Sequence, residues 1–175
     1  ASDVYKRQAE FGHNGCDTRN DILNRDLINK EYKPNSHDCV VLSGQLLDPY
    51  TGTMIEFQRG RDTSSAVQID HVVALSDAWQ KGAQQLPPEV RQDFANDPLN
   101  LLAVDGPANQ QKRDSDAASW VPANKPFRCQ YVARQVAVKQ KYHLWLTQAE
   151  YDAIDRWLST CTPEDEPTLA ALTLN

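Results

Sequence analysis

The apolar positions of the chain change period along its length, alternating helix with strand. Ile22, Leu23, Leu27 and Ile28 recur at helical spacing, and Asp17 or Thr18 stands where a capping residue belongs, which predicts a helix from Asp17. Residues 40–47 read as a strand, Asp48-Pro49-Tyr50-Thr51-Gly52 as a turn, and 53–57 as the returning partner. After the loop Arg59-Gly60-Arg61-Asp62, residues 65–69 form a strand that runs into Asp70-His71. Ser76 opens a helix through Gln85, Pro87-Pro88 interrupts it, and a second helix covers 89–95. Residues 99–104 give another strand, which ends in the turn Asp105-Gly106-Pro107 before a short helix over 108–112. Residues 121–126 connect to two amphipathic helices. One carries Tyr131, Val132, Val136, Val138 and Tyr142, the other Tyr151, Ile154, Trp157 and Leu158. Strands mixed with helices in this order predict an α+β fold with a small β-hairpin and additional helices.

With 175 residues and 40% hydrophobic content, the chain can bury one good core, and residues 1–161 read as a single domain. Residues 1–15 are polar and expected to be loosely ordered, and residues 162–175 read as a flexible acidic tail. No apolar run approaches the roughly 18 residues of a membrane span, and Ala1-Ser2-Asp3 reads as the start of a mature chain. Four cysteines, none in a CxxC pair, point to two disulfides and therefore to a secreted protein. Three pairings are open, and the local one, Cys16–Cys39 with Cys129–Cys161, is expected because each bond closes one compact segment.

The net charge of −6 argues at first against a polyanionic substrate. Its distribution changes that picture. Lys112, Arg113, Lys125, Arg128, Arg134, Lys139 and Lys141 face only Asp114 and Asp116 between Gly106 and Trp145, whereas acidic residues dominate from Leu146 onward. The basic excess begins at the 108–112 helix, where a phosphate backbone would lie.

That helix, the two flanking strands and the turn would bring Asp70, His71, Asn100 and Asn109 together. Hydrolysing a phosphodiester needs a base for water and positive charge on the phosphate. His71 is the natural base near neutral pH. Asp70 and Asn109 offer hard oxygen ligands, which favours magnesium or manganese over zinc. Asn100 could hold the imidazole or the loop, and Lys112 could touch a phosphate. Neighbours on a regular strand point to opposite faces, so Asp70 and His71 need a local bend to serve one site. His13, His37 and His143 read as surface residues, and the four tryptophans as core or interface residues rather than base-stacking platforms. Singly, each site residue also has a bland reading, as a buried polar pair, a turn asparagine or a first-turn helix residue.

The segments Ile69-Asp70-His71-Val72-Val73-Ala74-Leu75-Ser76-Asp77-Ala78-Trp79, Phe94-Ala95-Asn96-Asp97-Pro98-Leu99-Asn100-Leu101-Leu102 and Ala108-Asn109-Gln110-Gln111-Lys112 together resemble the HNH, or His-Me finger (ββα-metal), nucleases. Within that superfamily the chain is most similar to the secreted bacterial branch related to the C-terminal domain of GmrSD restriction enzymes. Gly15-Cys16-Asp17-Thr18-Arg19-Asn20-Asp21 and Tyr131-Val132-Ala133-Arg134 share the likeness, which runs from Cys16 to Cys161. The resemblance implies a ββα-metal core, His71 as general base, Asp70 and Asn109 as ligands of Mg²⁺ (or Mn²⁺), and Asn100 as the middle asparagine of the motif. Arg19 and Lys112 carry over as phosphate contacts. The last His of the motif is Asn109 here. The expected activity is endonucleolytic hydrolysis of DNA, with RNA as a second substrate, little sequence preference, and neither a membrane nor an obligate protein partner. The competing reading is a catalytically silent secreted binding domain whose Asp-His pair is structural.

Overall fold

A computed structural model describes residues 14–162. The expected tail therefore lies outside the described residues except for Thr162, as do residues 1–13 with His13. The described chain runs α1 (Thr18–Asp26), β1 (Ile28–Tyr32), β2 (Val41–Leu47), β3 (Met54–Gln58), β4 (Val67–His71), α2 (Leu75–Gln80), α3 (Pro88–Asn96), β5 (Leu101–Asp105), α4 (Gly106–Lys112), α5 (Arg128–Lys141) and α6 (Gln148–Leu158). The result is a mixed α+β architecture with two separate antiparallel sheets, β1-β2-β3 and β4-β5.

The β4-β5 pair is the spine of the molecule. Val67 pairs with Asp105, and the register holds through His71 opposite Leu101. Leu101, Leu102, Ala103 and Val104 are all buried because β5 has core on both faces. Leu101 and Ala103 pack with Ile22 and Leu23 of α1, with Leu27 just after it, and with Val41, Leu46 and Phe57 of the three-stranded sheet. Leu102 and Val104 pack instead with Tyr50, Tyr131, Val132 and Ile154. An uninterrupted apolar run is the sequence mark of a strand buried on both sides.

Local chemistry explains the boundaries. Asp17 caps α1 by accepting from the Asn20 N–H at 2.7 Å. Asp105 caps α4 by accepting from the Ala108 N–H at 2.8 Å, with Pro107 in the first turn. That helix begins two residues earlier than expected, at Gly106, where a Cβ would stand 2.2 Å from the Ser65 carbonyl oxygen. The glycine lets α4 dock on the segment that leads into β4. The helix expected over 76–85 ends at Gln80 instead, because Gly82 turns the backbone at φ +120°, and a 3₁₀ turn covers Ala83–Gln85.

The apolar spacing predicts helix as far as Ile28, but α1 ends at Asp26 and Ile28 opens strand β1. It is an irregular edge strand whose register with β2 shifts twice. Its residues Ile28-Asn29-Lys30-Glu31-Tyr32 show no apolar alternation. The cysteines pair as expected. Cys16–Cys39 ties the entry of α1 to the loop before β2, and Cys129–Cys161 ties the start of α5 to the end of α6.

Candidate active site

Asp70 and His71 end β4, and the chain beyond them is clamped. The buried Asn100 side chain accepts from the Val73 N–H at 2.8 Å and donates to the Val73 carbonyl at 3.2 Å. Its own carbonyl accepts from the Val72 N–H at 2.8 Å, and buried Gln135 donates to the Val72 carbonyl at 2.9 Å. Of the two roles open to Asn100, holding the imidazole or the loop, the contacts are those of the loop. The clamp fixes the chain just beyond the pair, but the bend expected between Asp70 and His71 is not there: β4 keeps its register through both, with Asp70 opposite Leu102 and His71 opposite Leu101, and the two border one concavity because it lies at the strand's end.

The His71 ring lies 2.8 Å from the Ala95 carbonyl through Nε2. A carbonyl can only accept, so Nε2 carries the hydrogen and Nδ1 keeps its lone pair. Burial lowers the His71 pKa, opposed by the Ala95 carbonyl and Asp70 and aided by Lys112, so the ring is biased toward its neutral form. Ile69 and His71 line two concavities at once. One, of about 130 Å³, is shared with Thr18, Arg19, Ala95, Asn96 and Leu101. The other, of about 300 Å³, is shared with Asp70, Ser76, Asn109, Arg113 and Asp114, among others.

Arg19 borders the smaller concavity, where its Nη2 donates to the Val67 carbonyl at 3.0 Å and the Ser64 carbonyl at 3.3 Å. Burial and the nearby Arg59 lower its pKa, while Asp17 opposes them. A guanidinium anchored on backbone carbonyls remains a cation and can face an anion.

Asp70 is 5% exposed and lies in a pocket closed by Tyr50 and Lys112. The Tyr50 hydroxyl donates to Oδ2, and Lys112 Nζ sits 3.0 Å from Oδ1 and 2.9 Å from Oδ2. Lys112 also donates to the His71 carbonyl at 2.7 Å. The expectation that Lys112 meets a substrate phosphate is corrected here: its side chain is fully enclosed and its ammonium is committed to Asp70 and the β4 backbone. Tyr50 escaped sequence reasoning because it sits in a turn segment and reads as an ordinary core aromatic. Its ring packs edge-on against Trp120 and Tyr131 at 5.0 and 5.7 Å.

Asn109, on α4, donates from its amide nitrogen to Gln68 Oε1 at 2.9 Å, which leaves its carbonyl oxygen as a donor atom toward a cation. A carboxylate offers about four lone-pair directions. Lys112 and Tyr50 take three on Asp70, so one remains on Oδ1. Asp70 and Asn109 thus form a sparse, hard-oxygen set at one concavity. That set fits a magnesium ion, which keeps most of its water, and not zinc. Among the described residues no three His, Cys, Asp or Glu side chains gather into a closed metal cage.

The basic stretch after Gly106 is largely engaged inside the protein. Arg134 donates to the Leu99 carbonyl at 2.9 Å, and burial brings its pKa down to about 10. Buried Lys139 joins Asp77 and Glu150, and Lys141 pairs with Asp97 at 2.6 Å. Arg128 lies over the Trp157 ring. The local charge excess marks internal ties more than a phosphate-binding face.

Residues 17–157 match the family model of the C-terminal domain of GmrSD restriction endonucleases. The chain belongs to this family. It is also 38% identical over 148 residues to an uncharacterized secreted protein of Arthroderma benhamiae, covering 83% of this chain and 68% of that one. That relative is fungal, so the narrower assignment to a bacterial branch gains no support from it. No solved structure matches the chain. Family membership makes this a nuclease-related domain, and nucleic acid its expected ligand. The secreted relative and the two disulfides make it a secreted protein. No helix among the described residues is long and apolar enough to cross a membrane.

Proposed function

We propose that this GmrSD C-terminal-type domain is a secreted endonuclease of the His-Me finger type, which hydrolyses phosphodiester bonds in DNA, with RNA as a second substrate, and with little sequence preference. The observation that carries the reading is the state of His71: Nε2–H held by the Ala95 carbonyl, Nδ1 basic, and the ring standing between two concavities. A base must be neutral and fixed before it can take a proton from water. In this reading β4, β5 and α4 are the ββα finger, Asn100 holds the loop behind the base, and Arg19 receives a backbone phosphate.

Asp70 and Asn109 would hold one magnesium ion, or manganese in its place. When bound, it would supply positive charge to the scissile phosphate and the departing 3′ oxygen. The residues themselves do the rest. His71 Nδ1 accepts the proton, Ala95 keeps the ring in one tautomer, and Lys112 holds the Asp70 carboxylate in one orientation. The commitment of Asp70 to Lys112 and Tyr50, which leaves one acceptor direction on Oδ1, is the specific observation that favours the silent binding domain instead. Incubation with supercoiled plasmid decides between them. The nuclease reading predicts nicked and then linear product with magnesium and none with chelator, whereas intact plasmid across a range of magnesium and manganese concentrations would favour the binding domain.

A further inference from the structure

Arg113 follows the enclosed Lys112 at the end of α4 and borders the concavity that holds Asp70, His71 and Asn109. Its N–H closes the helix on the Asn109 carbonyl at 3.2 Å, so consecutive cations leave in different directions, Lys112 into the core and Arg113 to the rim. The backbone there has φ +54° and ψ −127°, the mirror image of an extended residue. Glycine enters that region freely, and a residue with a Cβ enters it only under strain. The other described non-glycine residues at positive φ are Asn29, Asn35, His37, Asp38 and His143, types that tolerate it far better. Strain of this kind concentrates at functional sites. The Arg113 side chain is exposed, and among the described residues its guanidinium makes no hydrogen bond or ion pair. Lys112, Arg134, Lys139 and Lys141 are all committed to partners.

We propose that Arg113 anchors a backbone phosphate of the nucleic acid, on the other side of His71 from Arg19. This rests on the nuclease reading and deepens it. His71 and Ile69 line both concavities, and each concavity carries its own guanidinium. A polymer strand lying across His71 would meet Arg19 on one side of the scissile bond and Arg113 on the other. The arrangement selects a chain with phosphates flanking the cleaved one, so the bond cut is internal. Asp114 borders the Arg113 concavity as well and opposes an anion there.

The test measures binding of a fluorescent duplex oligonucleotide against salt concentration, in a His71→Ala background with magnesium so that the probe stays intact. Arg113→Gly removes the cation and relieves the strain, so the two readouts should move in opposite directions. Melting temperature should rise by a few degrees while the salt dependence of log K flattens by about one phosphate contact. Arg113→Lys should keep the salt slope, and Asp114→Asn should tighten binding. An unchanged affinity and slope in Arg113→Gly would overturn the proposal. A loss of affinity accompanied by a lower melting temperature and shared by Arg113→Lys would overturn it too, since Arg113 would then be structural. If the parent protein binds no nucleic acid at all, the nuclease reading itself fails and this inference falls with it.

Discussion

At the residue scale, the Asp70–Lys112 pair separates a structural cation from a substrate contact. Breaking a buried ion pair strands its partner and typically costs about 3–5 kcal/mol. Lys112→Ala should therefore lower the unfolding free energy by that order, read by urea denaturation. A phosphate-binding lysine on the surface would change affinity and leave stability nearly untouched. Asn100→Ala should also destabilise, since it orphans both the N–H and the carbonyl of Val73. At about 1–3 kcal/mol for each unsatisfied buried group, the loss should be clear in the same experiment. That Asp70, His71 and Asn109 border one concavity, with Asn100 holding the loop beyond β4, was legible from residue type and order along the chain. Tyr50 and Ala95 were not, since a hydroxyl arriving from a turn and a backbone carbonyl leave no mark in sequence. Lys112 was misread because a lysine beside the Asp-His and Asn segments reads the same whether it points in or out.

At the scale of elements, α2, α5 and α6 are tied by one buried ionic cluster. Lys81 meets Asp77 at 2.5 Å, Asp116 at 2.7 Å and Glu150 at 2.6 Å, and Lys139 joins both Asp77 and Glu150. Glu150 is wholly buried, so Glu150→Ala should cost about 3–5 kcal/mol and loosen α6 from α2. Burial would raise the Asp116 pKa, but the Lys81 ammonium and the Ala118 N–H hold it below its ordinary value. Burial would likewise lower Lys81, and its three carboxylates raise it well above the usual lysine range. The stability from Asp116 is present above pH ~3.8 and lost as pH falls through its depressed pKa, whereas that from Lys81 persists until pH rises past its raised one. The ties should thus hold across the neutral range and fail in acid, which thermal melts from pH 7 down to 2 would follow. The sequence revealed most helices and strands β2 to β5 because periodicity and turn residues mark them. It hid β1, a bulged edge strand with little to bury, and it overran α2, whose stop depends on one glycine.

Across the whole molecule, two disulfides bracket the fold, one at α1 and one clasping α5 to α6. Their closed segments of 23 and 32 residues should each contribute about 2–4 kcal/mol, mainly by restricting the unfolded chain. Reduction should lower the melting temperature without displacing the β4-β5 spine, as neither bond touches it. The pairing was readable because each segment closes locally, whereas the destination of the basic stretch was not, since charge along a chain does not say which cations are buried. The central claim is that His71 takes the proton. The most direct measurement is the plasmid cleavage rate of His71→Ala across a magnesium titration, with and without added imidazole. Loss of a general base typically costs 10²–10⁴-fold in rate. A loss of about that size is expected, which imidazole partly restores and magnesium does not. A His71→Ala protein as active as its parent, or one rescued by magnesium alone, would contradict it.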